Sequence, residues 1–251
     1  MRRFFITIEY DGTDLVGWQR QDNGPSVQAF IEDAAKALTG QPILVQGSGR
    51  TDSGVHAMGQ VAHLDMPDKF DSRSVALGLN AKLQSKQVKI IKAEEVKQDA
   101  HARFSALRRH YIYRILNKPI GSSLHRDFVW HVRYHLDIEA MQEGANHLIG
   151  THDFTSFRAT ACQAASPVRS LDVLTIKKHE DEIHIHASAL SFLHHQIRNI
   201  TGTLVQVGRG KWHPDDVKTA LQACDRSAAG PKAPAHGLYF RHVDFPDDCY
   251  L

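Results

Sequence analysis

The alternation of apolar segments constrains the fold more than any other feature, because a strand, a helix and two further strands follow one another twice. Period-two and period-3.6 patterns distinguish the two kinds of element. Strands are predicted over residues 3–10, 43–46, 58–65, 88–92, 108–116, 168–178 and 182–192, and helices over 27–38, 72–83, 138–149 and 194–207. Ser26 and Asp137 precede two of these helices as N-caps, and Gly40 marks the end of the first.

This double pattern predicts an α+β protein made of two related halves. We expect residues 1–103 to form an N-terminal half and residues 104–251 a C-terminal half. Packed side by side, the halves would form one extended, mostly antiparallel sheet.

Composition excludes several classes of protein. A chain of 251 residues can bury a large core without disulfides or a structural metal. The three cysteines, Cys162, Cys224 and Cys249, are far apart and odd in number, which indicates a reducing cytoplasm. No apolar run approaches the about 20 residues of a membrane span, and no apolar segment of a secretory signal follows Met1. We therefore expect no membrane association.

The strongest local signal is the glycine-containing loop Gly47-Ser-Gly-Arg-Thr-Asp-Ser-Gly-Val-His56, which carries Arg50 and Asp52. Its glycines allow tight turns and a close approach of a ligand to the backbone. A single carboxylate in such a loop suits nucleophilic, general-base or metal-binding chemistry. The loop fits neither of the common phosphate-binding fingerprints. The alternative is an ordinary loop with a capping aspartate.

A second signal is hidden by the small net charge of +2. Between Arg103 and Arg133 the chain has seven basic residues and one acid, a local charge of +6, with five interleaved aromatic residues. Basic side chains neutralise phosphates and flat rings stack on unpaired bases, so the segment favours RNA. The alternative is a solvated strand face above core aromatics.

The 17 histidines do not predict a metal site, because no His-Glu-x-x-His or paired-cysteine spacing is present. His184 and His186 share one face of a strand, and His194 and His195 open a helix. Arg198 lies among apolar residues of that helix, where a buried charge requires a partner. Spacing alone does not identify this partner.

Six segments together resemble the TruA family of tRNA pseudouridine synthases, and they run in the family's order along nearly the whole chain. They are Tyr10-Asp-Gly-Thr-Asp-Leu-Val-Gly-Trp-Gln19, Gly49-Arg-Thr-Asp-Ser-Gly-Val-His-Ala57, Phe104-Ser-Ala with Arg108-Arg-His-Tyr-Ile-Tyr113, Asp153-Phe-Thr-Ser-Phe-Arg158, Phe192-Leu-His-His-Gln-Ile-Arg-Asn-Ile-Thr-Gly202 and Gly237-Leu-Tyr-Phe240.

The resemblance implies that the chain isomerises uridine in tRNA to pseudouridine without a cofactor or a metal. By this analogy Asp52 is the catalytic aspartate, as nucleophile or as base. Tyr111 would stack on the flipped base, and Arg198 would pair with Asp52 and keep it ionised. Arg50 would contact the nucleotide. Further substrate-binding residues would be Arg108, Arg109, His194, His195 and Leu238.

The resemblance also implies a substrate and an assembly. Family members act on positions 38, 39 and 40 of the anticodon stem-loop and are homodimers. Each half would be an RNA-binding-like (ferredoxin-like) unit, with the helices on one side of the sheet and the active site in a central cleft. Three alternatives are a non-catalytic tandem RNA-binding module, a synthase with another RNA target and a metal-dependent nuclease. The first leaves the Asp52 loop without a role, and the last lacks clustered carboxylates.

Overall fold

The computed structural model describes every residue from 1 to 251. The chain forms two compact units, one made of residues 1–109 with 239–251 and the other of residues 110–238. No helix combines the length and the apolar character needed to cross a lipid bilayer.

The first unit begins with a sheet and two helices. Its elements are β1 (Arg2–Tyr10), α1 (Val27–Thr39), β2 (Gln46–Gly47), β3 (His56–Met66), α2 (Ser72–Lys82) and β4 (Val88–Val96). β1 lies between β3 and β4 and is antiparallel to both, while β2 also pairs with β3. Phe4, Ile6 and Ile8 point to one face of β1 and are completely buried, as the period-two alternation requires.

The limits of α1 confirm the predicted caps. The hydroxyl of Ser26 accepts a hydrogen bond from the backbone N–H of Ala29, and Gly40 ends the helix in the left-handed conformation. The strand predicted over 43–46 is wrong except at its last residue. Val45 instead bonds to side chains of α1, donating to Glu32 and accepting from Gln28, so a partner strand is not needed.

The second unit, like the first, combines β-strands with α-helices. It contains most of β5 (Arg108–Leu116), then β6 (Trp130–His131), α3 (Ile138–Asn146), β7 (Gly150–Asp153), β8 (Val168–His179), β9 (Glu182–Ala189), α4 (Gln196–Gly208) and α5 (Pro214–Gln222). The strands lie in the order β5, β9, β8, β7, with β6 parallel to β5. Every residue of α4 except Gln206 is buried, so this helix is the core of the unit.

The last strand, β10 (Leu238–Asp244), returns the chain to the first unit and runs parallel to β3. Beyond it, the ring of Phe245 lies 4.6 Å from that of Phe5, and Lys97 donates to the carbonyl of Cys249. Residues 239–251 therefore pack with the first unit, whereas the sequence pattern placed them in the C-terminal half. The first unit also extends to residue 109, beyond the boundary expected after 103. Short 3₁₀ turns occupy residues 155–157, 226–228, 235–237 and 247–249.

The α+β class is confirmed. Ten strands and five α-helices are present. The pairs β1–β3, β1–β4, β2–β3, β7–β8 and β8–β9 are antiparallel, whereas β3–β10 and β5–β6 are parallel.

Candidate active site

The glycine-containing loop joins β2 to β3 and turns sharply at its centre. The backbone N–H of Val55 donates to the carbonyl of Asp52 at 3.2 Å, which closes a four-residue turn. Asp52 is partly exposed at the start of this turn, and Arg50 is exposed two residues before it. The loop therefore presents a carboxylate and a guanidinium close together in the chain.

The segment that follows β1 fixes both neighbours of Asp52. On one side, Thr51 accepts at its carbonyl from the N–H of Trp18 (3.1 Å), and its hydroxyl bonds to that of Tyr10 (2.8 Å). On the other side, the Ser53 hydroxyl donates to the carbonyl of Leu15 at 2.9 Å. Because both flanking residues are anchored, the backbone of Asp52 has little freedom. Burial raises the pKa of Tyr10, so its hydroxyl is neutral at physiological pH.

Gly17 makes this close approach of the two segments possible. Its φ is +104°, a conformation that other residues rarely adopt, and a Cβ there would lie 2.4 Å from the carbonyl oxygen of Thr51. The segment that follows β1 therefore needs glycine at position 17 to pack this closely against the Asp52 loop.

Two polar side chains, those of Gln60 and Arg109, hold the start of the loop. Gln60 has no exposed surface, accepts from the Ser48 hydroxyl at 2.5 Å and donates to the carbonyl of Gly49 at 2.9 Å. Arg109 donates to the Ser48 carbonyl through Nε (3.2 Å) and Nη2 (2.8 Å), and Nη2 also reaches the carbonyl of Arg103. The loop that carries Asp52 thus has a buried hydrogen-bonded support.

Arg109 was expected to bind substrate, but its guanidinium is buried and bonded to backbone carbonyls of the first unit. Its neighbour Arg108 is exposed. Other members of the basic segment are also partly neutralised, because Arg114 forms a two-point ion pair with Glu182 and Lys118 pairs with Asp181. The local charge of +6 therefore overstates the charge that a polyanion meets.

In the second unit, Tyr111 lies on β5 and is largely buried, with its ring edge-on to that of Phe192 at 5.2 Å. Tyr113 lies two residues further on the same strand and donates from its hydroxyl to the carbonyl of Pro234 at 2.8 Å. Burial raises the pKa of Tyr113 well above its usual value, although the positive charge of Arg198 acts in the opposite direction.

Arg198 lies in the first turns of α4 and is only 8% exposed. Its Nε donates to the carbonyl of Ala233 at 2.9 Å, and the N–H of Ala233 donates back to the carbonyl of Arg198 at 3.0 Å. The first bond fixes the direction of the side chain, and the second ties the backbone of Arg198 to the same residue. The ion pair of Arg198 with Asp52 remains a prediction.

The remaining candidate residues surround the start of α4 and of β10. His195 has a left-handed backbone at the start of the helix, and its ring lies 3.9 Å from that of His194. His194 is exposed, and its carbonyl accepts from the N–H of Ala159. Leu238 is buried at the first position of β10. The first unit therefore holds Arg50, Asp52, Arg108 and Arg109, and the second holds Tyr111, His194, His195, Arg198 and Leu238.

The supporting roles of Tyr10, Ser48 and Gln60 were not predicted from the sequence. A signal for Gln60 is present, because a glutamine inside an apolar strand pattern must find hydrogen-bond partners when it is buried. No comparable signal marks Ser48.

Comparison with known proteins decides the family. The family model for tRNA pseudouridine synthases matches residues 6–105 and 145–246 of this chain. The chain belongs to the tRNA pseudouridine synthase family. Asp52 and Arg198 fall inside the matched segments, while Tyr111 lies between them.

Curated members of the family match over nearly the full length. A tRNA pseudouridine synthase A from Rhodospirillum rubrum is 53% identical over 248 residues, covering 99% of this chain and 89% of the relative. The protein of the same name from Sinorhizobium fredii is 53% identical, covering 98% of this chain and all of the relative. That from Maricaulis maris is 52% identical, covering 98% and 99%.

Among solved structures, a chain from a Cbf5-Nop10-Gar1 complex is similar to this protein, and the alignment covers 80% of the present chain and 45% of the solved chain. The TM-score is 0.36 and the identity 10%, and this similarity carries no argument about function.

Proposed function

We propose that this enzyme isomerises uridines 38, 39 and 40 in the anticodon stem-loop of tRNA, with Asp52 as the catalytic residue. Family membership assigns the coarser statement, that the chain is an isomerase converting uridine in tRNA to pseudouridine. The role of Asp52 is supported mainly by its loop, whose carboxylate-bearing turn is anchored on both sides by Thr51 and Ser53. The three tRNA positions are what the family resemblance implies.

The reaction needs a positioned carboxylate because it breaks and re-forms a bond at one sugar carbon. The N1–C1′ bond of uridine breaks, the uracil turns, and a C5–C1′ bond forms. The C5 proton is lost and N1 gains a proton, so atoms and electrons balance without an oxidant or a reductant. Asp52 acts either as the nucleophile at C1′ or as the base that starts cleavage.

We assign supporting roles to two residues of the second unit. Tyr111 stacks on the extruded uracil and assists removal of the C5 proton. Arg198, whose direction is fixed by its bond to Ala233, pairs with Asp52 and keeps the carboxylate ionised. The cost of extruding the base, a few kcal/mol, is offset by contacts with the RNA backbone.

The substrate contacts that we propose are directed at shape and phosphate. Arg50, Arg108 and His194 are exposed, and we propose that they contact the RNA backbone. His195 and Leu238 are proposed to contact the nucleotide near the cleavage site. A reaction at three adjacent positions requires recognition that is insensitive to the exact base sequence, and backbone contacts meet this requirement.

The decisive experiment measures tritium released from C5-labelled unmodified tRNA and maps pseudouridine in the product. We expect wild-type enzyme to release tritium and to modify positions 38, 39 and 40. Asp52→Asn should bind tRNA with nearly unchanged affinity and release none. Asp22→Asn, which removes an exposed carboxylate in the same unit, is the matched control and should retain full turnover.

Full tritium release by Asp52→Asn would contradict the assignment of Asp52 as the catalytic residue. Modification at other positions would indicate a synthase with another RNA target, and binding without any release by wild type would favour the tandem binding module.

We also propose that the enzyme acts as a homodimer in the cytoplasm, which the family resemblance supports. Light scattering should give a mass twice the 28.1 kDa of one chain. A mass of one chain at micromolar concentration would contradict the dimer.

A further inference from the structure

Three histidines of the second unit converge on one face of the β8–β9 hairpin. In the antiparallel register His179 lies opposite Glu182, Lys177 opposite His184, and Thr175 opposite His186. Alternate residues of a strand share a face, and directly paired residues share it too. His179, Glu182, His184 and His186 therefore project to the same side of the sheet.

The imidazoles are close enough to share an ion. One ring nitrogen from each of His179, His184 and His186 lies within 4.8 Å of those of the other two. The ring centroids of His179 and His184 are 4.4 Å apart, and those of His184 and His186 are 6.2 Å apart. Zinc bound at 2.0–2.1 Å by tetrahedral nitrogens spaces them about 3.3 Å apart. Small rotations of side chains on the hairpin close this difference.

A carboxylate orients one of these rings. Glu182 Oε2 lies 2.8 Å from Nε2 of His184, which directs the other ring nitrogen, Nδ1, away from the carboxylate. Arg114 in turn holds Glu182 through two hydrogen bonds of 2.9 and 2.8 Å. Histidines that bind metals usually have such a carboxylate behind them, which fixes the tautomer and the ring direction.

We propose that His179, His184 and His186 form a binding site for a divalent transition-metal ion of the zinc class, with water completing the coordination. The site is separate from the Asp52 chemistry and does not rest on the proposed substrate. The positive charges of Lys177 and Arg114 oppose binding, and Glu182 compensates for Arg114.

The sequence did not predict this site, because only the spacing of histidines and cysteines along the chain was considered. The ligands come from two strands, and cross-strand pairing brings His179 to His184 and His186 without any contiguous motif.

Calorimetric titration of the metal-free enzyme with Zn²⁺, and with Co²⁺ while following its visible absorption, tests the site. We expect one ion per chain and the intense absorption of low-coordinate cobalt. His184→Asn and His186→Asn should each weaken binding at least tenfold. Glu182→Gln should weaken it about 10–100-fold, as is usual for such carboxylates. His135→Asn, an exposed histidine of the same unit, is the matched control and should bind as the wild type does.

Thermal unfolding gives an independent readout. An ion that binds only the folded chain raises its stability, so Zn²⁺ should raise the melting temperature of the wild type and of His135→Asn but not of His184→Asn. Absence of saturable binding, or equal binding by wild type and by His184→Asn and His186→Asn, would overturn the proposal, because scattered surface histidines would then account for it.

Discussion

At the scale of single residues, Arg109 is a buried charge that holds the backbone at the start of the loop that carries Asp52. The residue is 8% exposed, and its guanidinium bonds to the carbonyls of Ser48 and Arg103. Charge-assisted hydrogen bonds of this kind contribute about 1.5–3 kcal/mol each. Because Ser48 begins the loop that carries Asp52, we regard Arg109 as a positioning residue.

We expect Arg109→Lys to reduce kcat for tRNA at least tenfold while KM changes little. An ammonium group cannot reproduce the forked contact of Nε and Nη2 with one carbonyl. The free energy of unfolding should also fall, by about 1–3 kcal/mol. Steady-state kinetics and urea unfolding provide both values.

Arg241→Lys, at an exposed position of the same unit, is the control and should leave both quantities unchanged. A raised KM with unchanged kcat would instead indicate that Arg109 contacts tRNA.

The candidate site was predictable from sequence only where a residue belongs to a recognisable motif. The loop around Asp52 has an unusual combination of glycines, an arginine and a carboxylate, and it lies where the pattern placed it, between β2 and β3. The contacts of Gln60 and Arg109 with the loop were not predicted, because their partners are backbone carbonyls of that loop. No side-chain pattern encodes a carbonyl partner that lies eleven or more residues away.

At the scale of elements, α4 is unusual because its polar face is buried as thoroughly as its apolar face. Thr203 accepts from the N–H of Gly230 through its hydroxyl, and Asn199 accepts from Arg226. At Gly202 the chain passes so close that an added Cβ would lie 1.7 Å from the carbonyl oxygen of Pro231. The segment 226–234, which also holds Arg198 through Ala233, packs on this face.

We expect Gly202→Ala to destabilise the protein by more than about 2 kcal/mol and to reduce activity. Helix propensity alone would make the alanine variant about 1 kcal/mol more stable than the wild type. The sign of the change in the free energy of unfolding therefore separates helix propensity from the steric clash with Pro231. The displaced atom is backbone, which cannot move without shifting Ala233 and hence Arg198. Urea unfolding and tritium release provide the measurements.

Gly78→Ala in α2 is the matched control. There the nearest atom, at 2.8 Å, belongs to the end of the flexible Leu38 side chain. We expect a change near zero or a small stabilisation. Equal effects of the two substitutions would show that the approach of Pro231 does not matter.

Elements whose ends are marked by caps or by hydrophobic alternation were predicted closely. Short elements, and elements that form through contacts distant in sequence, were not. α1 and β5 have the expected limits to within about a residue, because caps or alternation mark their ends. β7, with four residues, is too short for a periodic pattern, and α5 follows a cap made by His213. β10 exists because β3 offers it an edge, and this edge is nearly two hundred residues away in sequence.

At the scale of the whole molecule, acid sensitivity follows from a buried imidazole. His63 is 4% exposed on β3, accepts from the N–H of Ala102 and lies against the ring of His101. Burial lowers the pKa of His63 from 6.5 to about 4, and the charges of His101 and Arg3 act in the same direction, against Asp65. The unfolded chain therefore binds more protons than the folded chain between these two values.

We expect the free energy of unfolding to decrease as the pH falls from 6.5 towards 4, with an upper bound of about 3 kcal/mol from His63. Solvent screening reduces this value. Urea unfolding of the wild type and of His63→Asn across this range measures the effect, and the variant should show a shallower slope. His125→Asn, at an exposed position, should keep the wild-type slope. Parallel slopes for the wild type and His63→Asn would contradict the assignment.

The return of residues 239–251 to the first unit has a consequence for biosynthesis. The ribosome delivers β3 and the Asp52 loop long before it delivers β10, the strand that runs parallel to β3. At about 5–20 residues per second the interval is on the order of ten seconds. Throughout it, the nascent chain carries an incomplete sheet and leaves Phe5 without the cover of Phe245 and Tyr250. The part of the enzyme that is made first is thus among the last to be finished.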